Sequence, residues 1–247
     1  MAQRLVGKVA VVTGASRGMG LAISQVFAAE GARVAMLARS GDELEKSAAG
    51  VEGAKAFPCD IGDPDAVRAV FACVEVDWGG VDVLINNAGV ATPEMIADIS
   101  DEAAQHQVTV NILGATYCMR EAIAAMKRRG GGDIVNVSSE SVQSNFPMMT
   151  FYAATKAALE TLSMGARAQL RGSNIRVTIY RSGRVKTTFG RHWTAEQREQ
   201  TKLANQGTGA IELSGEAIDA DIPARAILSL VLLDRSAHID IMQLRGS

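Results

Sequence analysis

The chain has 247 residues, of which 47% are hydrophobic and 21% are charged, and its formal net charge is −2. This composition excludes a disordered chain and predicts a globular protein with a large buried core. The near balance of 25 basic and 27 acidic residues provides no general attraction for nucleic acid or for an anionic membrane surface. The apolar runs are too short for a signal peptide or a membrane span, so we expect a cytoplasmic protein.

Short β-branched runs alternate with longer amphipathic or alanine-rich segments along the whole chain. This alternation predicts an α/β fold with a mostly parallel, doubly wound sheet and helices on both faces. No linker divides the pattern, so residues 1–247 are predicted to form one domain. The seven predicted strands are Val9 to Thr13, Arg33 to Ala38, Ala54 to Pro58, Val83 to Asn86, Ile134 to Ser138, Ile175 to Tyr180 and Ile239 to Met242.

Two helical segments have features that matter later. Asp63 is a good N-cap and Pro64 suits the first helical position, which predicts the start of a covering helix. The stretch from Asp101 to Arg129 also predicts helix, with Asn111 near its middle among apolar and small residues. If Asn111 is buried, its amide needs a hydrogen-bond partner.

A glycine-rich turn follows the first predicted strand and precedes the helical run from Leu21 to Glu30. Glycines allow a tight turn and a close approach to a pyrophosphate, and the N-terminus of the following helix offers unpaired N–H groups. A tight turn alone would also explain the glycines, but their place between strand and helix favours a dinucleotide site of Rossmann type. The candidate residues are Gly14, Ser16, Arg17, Gly18, Met19 and Gly20.

Further motifs follow the later predicted strands in order. With the glycine turn, they resemble the compact, single-domain branch of the short-chain dehydrogenase/reductase family over nearly the whole chain. The resemblance implies that Asp60 and Ile61 flank the adenine, that Asn87, Ala88 and Gly89 contact the cofactor, and that Gly183, Val185 and Thr187 meet the nicotinamide. The motifs are Asp60-Ile61, Asn86-Asn87-Ala88-Gly89, Ser138-Ser139, Tyr152-x-x-x-Lys156 and Gly183.

The same resemblance implies a catalytic set and a reaction, hydride transfer between a nicotinamide cofactor and a carbonyl or alcohol. Tyr152 is the expected general acid and base, with Lys156 on the same helical face. Ser139, rather than Ser138, is expected to hold the substrate oxygen. Lys156 is expected to bind the nicotinamide ribose, and Asn111 to fix a water behind it. A tyrosine pKa of about 10 should fall beside the ammonium and an oxidised nicotinamide.

Each of these residues also has an ordinary structural explanation. Asn111 could satisfy a helix kink, Ser139 could cap a strand end, and Tyr152 could be a half-buried aromatic residue at a helix start. Two other classes of protein therefore stay open, a redox-sensing NADP(H)-binding regulator and a structural subunit that has lost the chemistry. The complete set of four candidate residues weighs against both.

The end of the second predicted strand favours NADP(H) over NAD(H). Ala38 occupies the position where enzymes that use NAD usually carry an acidic residue for the ribose 2′-hydroxyl. Arg39 and Arg17 are placed to form charge-assisted hydrogen bonds to a 2′-phosphate. Glu43, in the next predicted helix, is expected to lie beyond direct contact with the ribose.

Substrate choice is expected in a loop over about residues 188–215, which contains Phe189 and Trp193. Arg184 and Arg191 could receive a substrate carboxylate or could simply be solvated. Many relatives have proline where this chain has Ser182, and the C-terminal tail lacks the usual acidic-glycine ending. The tail resembles a subgroup that includes NADP-dependent hydroxy-acid dehydrogenases.

Assembly and metal binding can also be predicted from the sequence. Small residues on the predicted helix from Tyr152 to Arg171 permit close helix contact and suggest a homotetramer or homodimer. The three cysteines, Cys59, Cys73 and Cys118, lack the spacing of a zinc site, so we expect each to be a small buried side chain. The histidines form no metal-binding motif, and no metal site is predicted.

Overall fold

The structure, a computed structural model, describes residues 3–144, 146–206 and 215–247. Its main sheet has seven strands in the order β3-β2-β1-β4-β5-β6-β9, and every pairing is parallel. The predicted doubly wound sheet is therefore confirmed. These strands are β1 (Val9–Thr13), β2 (Arg33–Ala38), β3 (Ala54–Pro58), β4 (Val83–Asn86), β5 (Gly132–Ser139), β6 (Ile175–Ser182) and β9 (Ile241–Leu244).

Helices cover both faces of the sheet, and each face has its own apolar cluster. Helices α3, α5 and α6 contribute to one cluster, while α1, α2 and α8 contribute to the other. Among the helices of the described residues, none is long and apolar enough to cross a membrane. The helices are α1 (Gly18–Ala29), α2 (Gly41–Ala49), α3 (Pro64–Trp78), α4 (Asp101–Val108), α5 (Ala115–Arg129), α6 (Thr150–Gln169), α7 (Ala195–Asn205) and α8 (Asp221–Val231).

The strand order reverses at β1, which lies between β2 and β4. Open α/β sheets bind ligands beyond the carboxyl ends of the strands at such a switch point. The strands β7 (Val185–Lys186) and β8 (Ile218–Asp219) pair in parallel and form a second, two-stranded sheet. The fold thus places the motif residues that follow β1, β2, β4, β5 and β6 around one cleft.

Several local predictions are confirmed. The Asp63 side chain caps α3 by accepting hydrogen bonds from the backbone N–H groups of Asp65 and Ala66, and Pro64 starts the helix. The strands β1 to β4 have the predicted bounds. The last strand lies two residues further along the chain than predicted, because its register is set by pairing with β6, in which Ile179 faces Ile241.

The stretch from Asp101 to Arg129 is helical over its whole length as predicted, and Thr109–Gly114 forms a π-helical turn between α4 and α5. One prediction is wrong. Cys73 is exposed, whereas Cys59 and Cys118 are buried as expected. Cys73 lies on α3 at the edge of the buried face that Val70, Phe71 and Val74 form, and its exposure is set by helical phase rather than by hydrophobicity.

Candidate active site

A cavity of about 1180 Å³ lies at the carboxyl ends of the strands. Its walls include every residue predicted to bind the cofactor, Tyr152 and Lys156 among them, and also the predicted catalytic residue Ser139. Asn111 does not line it. The cofactor candidates on the walls are Gly14, Ser16, Arg17, Gly18, Met19, Gly20, Arg39, Asp60, Ile61, Asn87, Ala88, Gly89, Tyr152, Lys156, Gly183, Val185 and Thr187.

The glycine-rich turn is built so that side chains do not fit on it. A Cβ at Gly20 would lie 2.2 Å from the Gly14 carbonyl oxygen, and one at Gly14 would lie 2.9 Å from the Cα of Ala88. Gly14 also has a φ of +65°, which L side chains rarely adopt. The bare backbone and the N-terminus of α1 therefore fit a pyrophosphate, and this fit supports a dinucleotide site.

Thr13, which the sequence analysis did not single out, joins this turn to the end of β4. Its Oγ1 accepts hydrogen bonds from the backbone N–H groups of Asn87 and Ala88, both at 3.0 Å. The Asn87 amide in turn donates to the Thr13 carbonyl at 2.9 Å. These reciprocal bonds fix two walls of the cavity to each other. A threonine at the last position of a buried strand, just before a glycine turn, was the available signal.

Tyr152 and Ser139 form the opposite wall. The two side chains share a hydrogen bond that lowers the pKa of Tyr152, but burial outweighs it and raises that pKa to about 12. Desolvation of the phenolate is thus the larger effect in the protein without cofactor, and the lowering expected beside Lys156 and an oxidised nicotinamide stays a prediction. The Ser139 Oγ also accepts from the backbone N–H of Ser141 at 3.1 Å, which fixes the serine at the start of a short 3-10 helix.

Lys156 lies one helical turn after Tyr152 on α6, as the spacing predicts. Its Nζ is 5.8 Å from the centre of the Tyr152 ring and donates a hydrogen bond to the Val137 carbonyl at 2.9 Å. The residue is 2% exposed, and burial lowers the pKa of its ammonium to about 8. A Cβ added to Gly89 would lie 3.1 Å from the lysine nitrogen, so that nitrogen reaches the cavity wall.

Asn111 lies behind this wall in the π-helical turn. Its Oδ1 accepts from the backbone N–H of Val90 at 2.8 Å, and its Nδ2 donates to the Val90 carbonyl at 2.8 Å and to the Thr155 Oγ1 at 3.0 Å. The predicted need for partners is thus met. Both N–H bonds of the amide are engaged, so Asn111 ties the loop after β4 to α6, close to the Lys156 ammonium. Thr155, three residues after Tyr152, was not anticipated.

The Ser138 side chain belongs to a hydrogen-bond network with Glu160 and Arg181. Its hydroxyl donates to the Glu160 Oε1 at 2.7 Å, and Arg181 binds both oxygens of the same carboxylate at 2.7 and 2.6 Å. This network ties the ends of β5 and β6 to α6 and engages the Ser138 hydroxyl. It supports Ser139 as the serine that faces a substrate. The sequence analysis missed the pairing because Glu160 and Arg181 lie on different elements.

A cluster of charges lies at the end of β2. Arg17 Nη1 is 2.6 Å from one oxygen of Glu43, and Arg191 Nη1 is 3.2 Å from the other. Helix α2 begins beside the cavity, and Glu43 is one of the residues that line it. Arg39 also lines the cavity and forms no hydrogen bond or ion pair within the described part of the chain.

The described part of the predicted substrate loop covers the cavity with aromatic side chains; residues 207–214 of that loop lie outside the described residues. The Phe189 ring is 5.8 Å from the Tyr152 ring and 6.1 Å from the Trp193 ring. The Trp193 Nε1 donates to the Ala91 carbonyl at 2.7 Å, and this bond holds the loop on the segment after β4. Phe189 therefore lies beside the candidate acid, and Trp193 packs against Phe189.

The tail packs on the position that lacks the usual proline. The Gly183 N–H donates to the Leu244 carbonyl at 2.8 Å, and a Cβ on Gly183 would lie 2.6 Å from the Cβ of Arg245. The Ser182 Oγ donates to the Gly183 carbonyl at 3.0 Å. Glycine is therefore required by close contact with the tail, and the serine hydroxyl stabilises the turn.

Within the described residues, no three His, Cys, Asp or Glu side chains group as a metal site would require.

The fold and this cavity define the class of protein, a Rossmann-type domain with a dinucleotide cleft and a tyrosine–lysine pair. The family model described as short chain dehydrogenase matches residues 8–198. The chain belongs to the short-chain dehydrogenase family.

Named relatives and solved structures agree with this membership. The chain is 36% identical over 199 residues to dehydrogenase/reductase SDR family member 11 of Gallus gallus, covering 76% of this chain and 78% of that protein. It is 34% identical over 192 residues to galactitol 2-dehydrogenase of Agrobacterium fabrum, covering 77% of this chain and 74% of that protein. The structure of L-sorbose reductase from Gluconobacter frateurii, complexed with NADPH and L-sorbose, superposes with a TM-score of 0.86 at 28% identity, covering 100% of this chain and 98% of that one.

Proposed function

We propose that this protein is an oxidoreductase that transfers a hydride between NADP(H) and a carbonyl compound or secondary alcohol. The observation that carries the proposal is one cavity with the glycine turn on one wall and Ser139, Tyr152 and Lys156 on the other. The similar galactitol 2-dehydrogenase and L-sorbose reductase bear names of alcohol and carbonyl substrates, and the latter was solved with NADPH. We also propose that the protein acts in the cytoplasm, because its three cysteines are free, as is usual in a reducing compartment.

The bound cofactor would supply the hydride, and the protein would supply orientation and a proton. In reduction, Tyr152 donates its phenolic proton to the substrate carbonyl oxygen as that oxygen gains negative charge. In the reverse direction it accepts the proton. The Ser139 hydroxyl, fixed by Ser141, donates a hydrogen bond to the same oxygen. The Lys156 ammonium would hold the ribose hydroxyls of the bound cofactor, and its positive charge would favour the tyrosinate against the effect of burial.

The charges at the end of β2 support NADP(H) over NAD(H). The Arg39 guanidinium can bind a 2′-phosphate without first breaking another ion pair. Arg17 can exchange its bond to Glu43 for a bond to the phosphate dianion. Ala38 presents no carboxylate at the ribose. Glu43 offsets part of the attraction, so we assign Arg39 the larger share of the preference.

A substrate panel tests the function and the cofactor choice together. Ketones, aldehydes, keto acids and alcohols are assayed by cofactor absorbance with NADPH, NADH and their oxidised forms. We expect turnover with at least one carbonyl class and a higher kcat/KM for NADPH. Arg39→Ala should lower kcat/KM for NADPH roughly ten- to hundredfold, the worth of a charge-assisted hydrogen bond, and leave that for NADH nearly unchanged.

The matched control is Arg33→Ala, which removes an exposed arginine at the other end of the same strand. It should not alter cofactor preference. Equal efficiencies of the wild type with NADPH and NADH would contradict the cofactor proposal. Tight NADPH binding without turnover on any member of the panel would favour the regulatory or structural alternative.

The exposed side of α6 supports a homotetramer, or at least a homodimer. Leu162 is a large apolar residue that is 37% exposed there, on the same helical face as the small residues Ala158 and Gly165. A second copy of the helix could cover them. Light scattering across micromolar concentrations should give the molar mass of a dimer or tetramer. Leu162→Arg should lower that molar mass toward the value of the monomer. Leu203→Arg, on exposed α7, is the control; a monomeric wild type would refute this assembly.

A further inference from the structure

The cavity has a polar side wall at the carboxyl ends of β5 and β6. Glu140 and Ser141 follow Ser139 directly in the short 3-10 helix Glu140–Val142, and both line the cavity. The two residues are only 3% and 4% exposed. The mechanism proposed above uses the backbone of Ser141 but neither of these two side chains.

Two oxygen atoms of this wall are unsatisfied. Within the described residues, Glu140 Oε2 and Ser141 Oγ are buried and have no hydrogen-bond partner. Leaving such a group unpaired destabilises the folded state, and folded proteins rarely retain one. Both atoms belong to consecutive residues that border the space beside Ser139. This placement indicates that a bound substrate group completes their hydrogen bonds.

The charges around the wall restrict what that group can be. Burial raises the pKa of Glu140, and the positive charges of Arg245 and Arg184 oppose this effect. A substrate ammonium would face those two guanidinium groups, and a substrate carboxylate would face Glu140. An apolar group would leave both oxygens unpaired. A neutral hydroxyl meets none of these penalties, because it can donate to Glu140 and accept from Ser141.

We infer that Glu140 and Ser141 bind a second hydroxyl group of the substrate, so that hydroxylated ketones and the corresponding diols or polyols are the preferred substrates. This inference rests on the proposed function, because Ser139 and Tyr152 must hold the reacting oxygen. Since Glu140 adjoins Ser139, the second hydroxyl lies on a carbon close to the reacting one. Glu140 and Ser141 are thus specificity-determining residues.

The test compares two ketones that differ by one hydroxyl, 3-hydroxybutan-2-one and butan-2-one, with NADPH. The wild type should favour the hydroxylated ketone by roughly tenfold or more in kcat/KM. Glu140→Leu and Ser141→Ala should each abolish most of this preference by lowering kcat/KM for the hydroxylated ketone, with little change for butan-2-one. Glu199→Gln, on exposed α7, should behave as the wild type. A general structural defect would lower kcat/KM for both ketones by the same factor.

Calorimetry with NADPH present, which cannot react with an alcohol, adds a readout that needs no turnover. Butane-2,3-diol should bind the wild type more tightly than butan-2-ol, and Glu140→Leu should remove the difference. Turnover of both ketones with equal efficiency, or an equal loss for both in Glu140→Leu, would overturn the subsite and leave the proposed function standing. If neither ketone is turned over, the proposed function fails for these substrates, and equal binding of the two alcohols then overturns the subsite as well.

Discussion

Replacing Tyr152 by phenylalanine should remove most turnover while folding and NADPH binding persist. The variant keeps the ring, which packs against Phe189 with 5.8 Å between ring centres, and loses only the transferable proton. General acid–base catalysis contributes about 10²- to 10⁴-fold, so kcat should fall by that factor. The measurement is kcat with the best substrate of the panel, together with the NADPH dissociation constant from fluorescence titration.

Tyr180→Phe is the matched control for this variant. Tyr180 is fully buried on β6, and its hydroxyl has no hydrogen-bond partner within the described residues. The control therefore removes a phenolic oxygen from the core without changing the cavity wall, and its turnover should stay near that of the wild type. Near-normal kcat in Tyr152→Phe would reject Tyr152 as the acid. Equal losses in both variants would indicate a packing effect.

Replacing Lys156 by methionine should abolish activity and yet raise stability at neutral pH. The ammonium is needed for the ribose and for the tyrosinate, so both NADPH affinity and kcat should fall. Burial lowers the pKa of this lysine from 10.5 to about 8 in the folded protein. Below pH 8 the folded state therefore holds a buried charge at a cost of up to about 3 kcal/mol, which methionine does not carry.

The sign of the pH dependence follows from proton binding. Between pH 8 and 10.5 the unfolded chain holds the Lys156 proton more firmly than the folded one, so the free energy of unfolding of the wild type rises with pH there. The stability advantage of Lys156→Met should shrink over the same interval. Urea unfolding at several pH values measures it, and Lys55→Met, at an exposed lysine paired with Asp77, is the control. A less stable Lys156→Met at pH 7 would contradict the assignment of a buried, costly charge.

The sequence by itself determined the features that depend on local order along the chain. Alternating β-branched and amphipathic segments specify a parallel sheet, because short buried strands need helices to cover both faces. Tyr152 and Lys156 share a face because a helix brings residues four apart together. The glycine turn follows from its place between β1 and α1. These patterns also carried the family resemblance, which the match over residues 8–198 confirms.

Only the tertiary structure decided the environment of the side chains. Glu43 meets Arg191 across 148 positions of sequence, and no local pattern indicates that pair. Burial raises the pKa of Tyr152, and the side chains that surround it, such as Phe189, come from distant segments. The unpaired oxygens of Glu140 and Ser141 likewise depend on what packs around the end of β5. Local propensity fixes the elements, but desolvation and charge pairing are set by which elements the fold brings together.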